Sequence, residues 1–340
     1  MKAAVFRGVG QALNIDEVDR PRPGPGEMLI RVHACGICGT DLHLTEDEGA
    51  LRAGVVLGHE FCGEVVEIGA GVDDSWRLGD RAVSMPFIGC GACATCLAGE
   101  PIWCRRMRGH FNGQVSGGFG EFTTIGALGS VKVPSAVTWD EAALIEPLAV
   151  GLHGVKRARL PAGADVLIVG AGPVGLGAVI WARALGARRI AVTARSNRAA
   201  AMALELGADE FIPSDVDVRK GFRAMAGRPP DAVFECVGAP GVLDYCMNLA
   251  PPRGLVLALA GCTRPDPILG ATGLNKELTI SWALGYDIGD FRLAVDAAER
   301  KLFDPTVMIT DRVGYDDFPG AFEALRQRTH QCKVLLTPGA

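Results

Sequence analysis

No apolar run in these 340 residues approaches the ~18–20 needed to cross a bilayer as a helix, so no membrane span is expected. Lys and Arg nowhere form the kind of block that tracks a phosphate backbone, and the net charge is −5; nucleic acid is therefore not an expected partner. The first residues, Met-Lys-Ala-Ala-Val-Phe-Arg-Gly, alternate like a strand and lack a signal-peptide apolar core. Aromatic residues are scarce at 6%, whereas glycine is plentiful at 45 residues and apolar residues make up 49%. That balance fits an α/β protein with many tight turns and argues against a disordered or fibrous chain. Internal repeats and low-complexity tracts are missing too. The eleven cysteines are odd in number and cluster at metal-ligand spacing, which suits a reducing cytoplasm better than a disulfide-forming compartment.

What is present divides near residue 150, and 340 residues suffice for two ordinary domains. Before the divide, short strand-like runs alternate with Gly/Pro turns: Lys2–Arg7, Glu27–Ala34, Phe61–Ile68, Arg81–Met85 and Phe119–Ile125. This spacing predicts a β-rich, partly barrel-like domain. After it, apolar strands alternate with helices: Asp165–Gly170, Pro173–Leu185, Arg189–Thr193, Arg198–Leu206, Phe211–Pro213, Val216–Ala226, Asp231–Val237, Val242–Leu249, Gly254–Gly261 and Leu278–Leu284. Such alternation implies a doubly wound parallel sheet covered on both faces. A helix from about Asp287 leads to the tail Cys332–Leu336, expected to rejoin the first domain. The boundaries are thus 1–147 completed by 286–340, with 148–285 between.

Four cysteines, Cys90, Cys93, Cys96 and Cys104, fall within fifteen positions. Cys-x2-Cys-x2-Cys-x7-Cys on a Gly-rich lobe brings four thiolates to one tetrahedral zinc with no open position, a site that holds a fold together. A second constellation is built differently. Cys35-Gly-Ile-Cys38-Gly-Thr-Asp-Leu-His43, Gly58-His59-Glu60 and Glu146 mix thiolate, imidazole and carboxylate. Cys38, His59 and one carboxylate would leave a coordination position open, as catalysis requires. Singly, a cysteine is more often a small buried apolar residue, and Cys35 with Cys38 could form a redox pair. The combination favours the metal.

Val166-Leu-Ile-Val-Gly170-Ala-Gly172-Pro173-Val174-Gly175 is a Gly-x-Gly-x-x-Gly turn between an apolar strand and a helix. In that context it predicts a dinucleotide diphosphate on the helix N-terminus. An NAD-binding chain places Asp or Glu about eighteen residues beyond; here Thr193 takes that place, and no acid occurs from Ala191 to Leu204. Thr193, Ser196, Arg195 and Arg198 can instead bind a 2′-phosphate. Charge-assisted bonds of ~1.5–3 kcal/mol give tenfold or more per contact, so NADP(H) is expected over NAD(H). Cys236-Val237-Gly238 ends a later strand on the side where nucleotides lie.

Together these motifs, with Glu-Pro-Leu-Ala-Val-Gly-Leu-His from Glu146, occur in the order and spacing of the zinc-dependent medium-chain dehydrogenases/reductases. The chain resembles that family over nearly its whole length, most closely the sorbitol and threonine dehydrogenase branch. The resemblance implies a GroES-like catalytic domain, a Rossmann domain, and a cleft between them holding zinc, alcohol or carbonyl, and nicotinamide. It implies zinc ligation by Cys38 and His59 with Glu60 or Glu146, and Asp41 orienting His59. Thr40 would touch the substrate oxygen, with His43 passing the proton to solvent. Lys333 would approach the pyrophosphate. Family members form dimers or tetramers, commonly by joining Rossmann sheet edges.

The pattern departs around the substrate. Where polyol enzymes of this branch often carry Arg and Tyr, the segment reads Ser281-Trp282-Ala-Leu284-Gly-Tyr286, and Leu44 stands where an aromatic is common. A secondary alcohol or ketone is therefore the expected substrate rather than a sugar alcohol. The alternatives are an NAD-linked polyol or amino-alcohol dehydrogenase, a zinc- and nucleotide-dependent lyase without net redox, a zinc-free quinone or enoyl reductase, and a non-enzymatic NADPH-binding protein.

Overall fold

A computed structural model describes residues 1–327 and 330–339. Two compact units emerge: Met1–Glu146 with Asp287–Lys301 and Ile309–Ala340, and Pro147–Tyr286 with Leu302–Met308.

The first unit is built on a seven-stranded sheet around the long strand Glu27–Gly36. One edge of that strand pairs antiparallel with Glu60–Ile68, with register shifts at Leu29/Ile30 and Val32/Ala34. Its other edge is shared: residues 27–31 pair with Phe122–Gly126, and Cys35 and Gly36 pair with Leu336 and Leu335. The expected return of the chain's end is therefore a strand, Lys333–Leu336, hydrogen-bonded beside the segment that leads to Cys38. Alternation along Glu27–Gly36 sends Met28, Ile30 and Val32 into a core with Phe119, Phe318 and Phe322. The Phe119 and Phe318 rings meet at 4.8 Å and 61°, a tilted arrangement that suits aromatic quadrupoles. Phe119 itself lies outside the strand expected from residue 119; its N–H bonds the Leu57 carbonyl, and regular pairing starts at Phe122.

The second unit is a six-stranded parallel sheet. Its strands are β1 (Asp165–Val169), β2 (Arg189–Ala194), β3 (Glu210–Pro213), β4 (Ala232–Glu235), β5 (Leu255–Ala258) and β6 (Thr279–Trp282), in the spatial order β3-β2-β1-β4-β5-β6. Burial is complete along β1 and β4, as both-face covering demands. The order reverses direction between β1 and β4, and the crevice at the carboxyl ends there is where such sheets bind ligands. The helix expected over 198–206 opens instead as a 3-10 turn, Asn197–Ala199, before Ala200–Glu205. Residues 302–308, read from sequence as part of the first domain, belong to this unit. Phe303 is the reason: its ring packs edge-on against Trp181 at 5.2 Å. Among the described residues no helix is long and apolar enough to cross a membrane.

Candidate active site and metal centres

Helix α1 (Gly39–Leu44) starts at Cys38, whose extended backbone makes it the N-cap. Asp41, three residues on, accepts the Cys38 N–H through Oδ2 at 2.9 Å. Its Oδ1 lies 3.1 Å from His59 Nδ1. One fully buried carboxylate thereby fixes both the backbone that carries Cys38 and the ring of His59. With Nδ1 held by Asp41, Nε2 is the ring nitrogen left for another partner, and Cys38 acts on the same ring. Burial works against a charged His59, but the Asp41 carboxylate and Cys38 outweigh it and hold the imidazole well above its ordinary pKa. A thiol and an imidazole oriented by a carboxylate are the donor types and arrangement that zinc takes.

The third ligand is not in place. Cys38 and His59 do not form, with Glu60 or Glu146, a set of donor atoms all within 4.8 Å among the described residues. Glu60 turns to Lys333 in an ion pair with both side chains buried, and the ammonium also donates to the Ile37 carbonyl at 3.0 Å. Burial opposes the charge on Lys333, while Glu60 and then Cys38 raise its pKa. Lys333, which the family resemblance implies beside the pyrophosphate, is instead buried on Glu60. Glu146 is buried in the first turn of the helix Ile145–Ala158.

Thr40 and His43 project from α1 three residues apart, both exposed. The Thr40 hydroxyl oxygen is 3.7 Å from Cys38 Sγ. Leu44 is half-buried at the end of the same helix. The helix Phe318–Gln327 clamps α1 from outside: Arg326 donates to the Leu42 carbonyl at 3.1 Å, to Thr45 Oγ1 at 2.9 Å and to Glu46 at 2.7 Å. Some 280 residues separate these partners, so no local pattern could have revealed them.

The four-cysteine lobe is complete by comparison. Ligand atoms of Cys90, Cys93, Cys96 and Cys104 all lie within 4.8 Å of one another. Backbone N–H groups of Cys90 and Arg106 each reach Cys104 Sγ at 3.4 Å. The Ala92 backbone, then the Arg106 side chain, pull the Cys90 thiol down to about 5. Arg106 is a partner the spacing argument missed.

In the second unit, Gly172 caps helix α2 (Pro173–Ala184) with Pro173 at its first position. Gly170, at φ +109°, donates to the Thr193 carbonyl at 2.8 Å. A side chain at Gly170 would meet Val237 Cγ2 at 2.8 Å, and one at Gly175 would collide with the Gly170 carbonyl. Glycine is obligatory at both. Val174 is half-buried beside them. Just beyond β2, Arg195, Ser196 and Arg198 are exposed. Thr193 is not: it is fully buried, with Tyr245 beside its hydroxyl. Alternation along β2 turns it inward and leaves half-buried Ala194 as the terminal residue. Cys236 and Gly238 are partly covered, and Val237 is exposed; burial pushes the Cys236 thiol up.

The expected substrate wall does not hold together as one surface. Tyr286 is 2% exposed and belongs to the core, while Trp282 and Leu284 are 59% and 61% exposed at the β6 edge.

Comparison with known proteins decides the family. The alcohol dehydrogenase GroES-like domain matches residues 24–135, and the zinc-binding dehydrogenase domain matches residues 173–300. L-threonine 3-dehydrogenase of Streptomyces avermitilis is 34% identical over 330 residues, 95% of each chain. The chain is a zinc-dependent medium-chain dehydrogenase of the alcohol dehydrogenase superfamily. A structure from Sinorhizobium meliloti 1021, described as a zinc-binding dehydrogenase bound to NADP, superposes on this dehydrogenase with a TM-score of 0.87 at 33% identity, covering 99% of both chains. An alcohol dehydrogenase from Escherichia coli CFT073 complexed with NADH gives 0.88 at 28% identity, also over 99% of both. The GroES-like and Rossmann expectations hold, and the dehydrogenase acts as an oxidoreductase on CH–OH groups.

Proposed function

We propose that this dehydrogenase interconverts a secondary alcohol and its ketone with NADP(H), using a metal held by Cys38 and His59. The observation that carries the reading is the Cys38–His59 pair joined through Asp41 at the start of α1. Zinc supplies Lewis acidity that lowers the pKa of the substrate oxygen, and the nicotinamide supplies or accepts the hydride. Asp41 keeps His59 Nε2 aimed at the metal position. Glu60 or Glu146 would complete the ligand set, Glu60 by leaving Lys333. Thr40 would relay the hydroxyl proton from the substrate side by giving up its own, and exposed His43 would carry it to solvent. Cys90, Cys93, Cys96 and Cys104 would hold a second, structural zinc.

Gly170, Gly172, Pro173, Val174 and Gly175 would seat the diphosphate, and Arg195, Ser196 and Arg198 the 2′-phosphate, with Ala194 leaving space. The likeness to a threonine dehydrogenase and to an NADH complex favours a second reading, an NAD-linked amino-alcohol or polyol dehydrogenase. A screen of alcohols and ketones with both cofactors separates them: higher kcat/KM with NADP(H) on simple ketones supports the first reading, and NAD(H) with threonine or sorbitol the second. The β6 edge with exposed Trp282 and Leu284 suits pairing with a second copy into a dimer or tetramer, which light scattering would reveal.

A further inference from the structure

Glu235 ends β4 at the point where the sheet order reverses, only 3% exposed. Among the described residues no cation pairs with it. Its Oε1 instead accepts the backbone N–H of Val237 at 2.7 Å and of Gly238 at 2.9 Å. Burial pushes the carboxyl up, these two N–H groups draw it down, and Asp266 adds repulsion. A carboxylate without a countercharge in such a place is costly, and the proton transfers and metal contacts proposed above make no use of it.

Its reach explains its place. The turn held by Glu235 packs on the dinucleotide turn: the Cys236 carbonyl and Val237 Cγ2 close the space beside Gly170, and Cys236 Cβ lies 3.4 Å from where a Gly175 side chain would start. With its two N–H groups drawn inward, residues 236–238 offer no backbone donor there for a phosphate, and present an exposed Val237 side chain above a buried carboxylate. Across the crevice, the N-terminus of α2 offers free N–H groups and a positive dipole end.

We propose that Glu235 is a positioning residue for the nicotinamide dinucleotide: it shapes the 236–238 turn and denies it to phosphate, so that the diphosphate settles on α2 and the uncharged nucleoside portion lies over Val237. This rests on the Rossmann unit binding nicotinamide nucleotide. The test is titration of the purified enzyme with NADPH and NADH, followed by nucleotide fluorescence, alongside melting temperature and zinc content. Glu235→Ala and Glu235→Asp, the latter one methylene too short to reach both N–H groups, should raise the Kd about tenfold or more, with zinc content unchanged. Glu235→Gln keeps a carbonyl acceptor and should stay within about threefold of wild type. A purely structural residue would lower the melting temperature without moving the Kd of the folded enzyme. Wild-type Kd in both the Ala and Asp variants overturns the inference, and so does Gln as damaging as Asp. If Glu235→Ala does not fold, the order of Gln and Asp decides. Wild type binding neither nucleotide would overturn the nucleotide reading, and this inference with it.

Discussion

The two thiolate-bearing regions of the first unit contrast in how they are assembled. The Cys90–Cys104 lobe draws every ligand from fifteen consecutive residues, and its four sulfur atoms already lie within 4.8 Å of one another. The Cys38 region draws from residues 38, 41, 59, 60 and 333, and only part of its ligand set is gathered. A site made from one loop is fixed by local geometry. A site made across strands depends on competing partners, and here Lys333 holds the carboxylate that the metal would want. The closed site suits a permanent structural ion, the open one a centre whose coordination must admit substrate.

The sharpest way to break this contrast is Cys38→Ser. Removing Lewis acid assistance worth several kcal/mol should lower kcat/KM by about a thousandfold and leave NADPH binding intact. Surviving turnover would mean the pair at α1 is not the reactive centre. Next in size is Lys333→Met, which strands Glu60 as a lone buried carboxylate. Metal-free protein should lose about 3–5 kcal/mol of stability, read by denaturant unfolding. An unchanged midpoint would show that the ion pair does not constrain Glu60.

Asp41→Asn should weaken metal binding at Cys38–His59 by about 10–100-fold while the cysteine lobe keeps its ion; equal loss from both sites would erase the distinction. The same pair sets a pH dependence. The folded-state pKa of His59 lies above its unfolded value, so its contribution to metal-free stability is complete below about pH 6.5 and fades as pH rises through the raised value. Metal must displace that proton, and any proton on the Cys38 sulfur, so affinity should climb at least about tenfold per pH unit across this window. Competition titration with a zinc chelator at several pH values checks it; a flat profile would contradict the raised pKa. Smallest is Arg195→Ala, expected to cut the NADP(H) over NAD(H) preference in kcat/KM by about tenfold.

Legibility from sequence followed the same division. The Gly-x-Gly-x-x-Gly turn and the four-cysteine lobe rest on interactions among near neighbours, so spacing located them, whereas the short helix α1 (Gly39–Leu44) was not foreseen. The inward turn of Thr193 was not legible, because the end of a strand is hard to fix and a single step reverses which face a side chain takes. Lys333 was misjudged for another reason: a lysine in a strand of Val and Leu gives no hint that its charge finds Glu60, 273 residues away. Glu235 carries no motif signature, since its partners are its own following N–H groups. Trp282 and Tyr286 read as one apolar wall until the sheet placed one at an edge and the other in the core.

Zinc content per chain, measured by mass spectrometry of the metal on wild type, Cys38→Ser and Cys90→Ser, tests the central claim most directly. Two ions in the wild type and one in each variant are predicted. A wild-type value of one, or a count that Cys38→Ser leaves at two, would contradict the division of labour between the two regions.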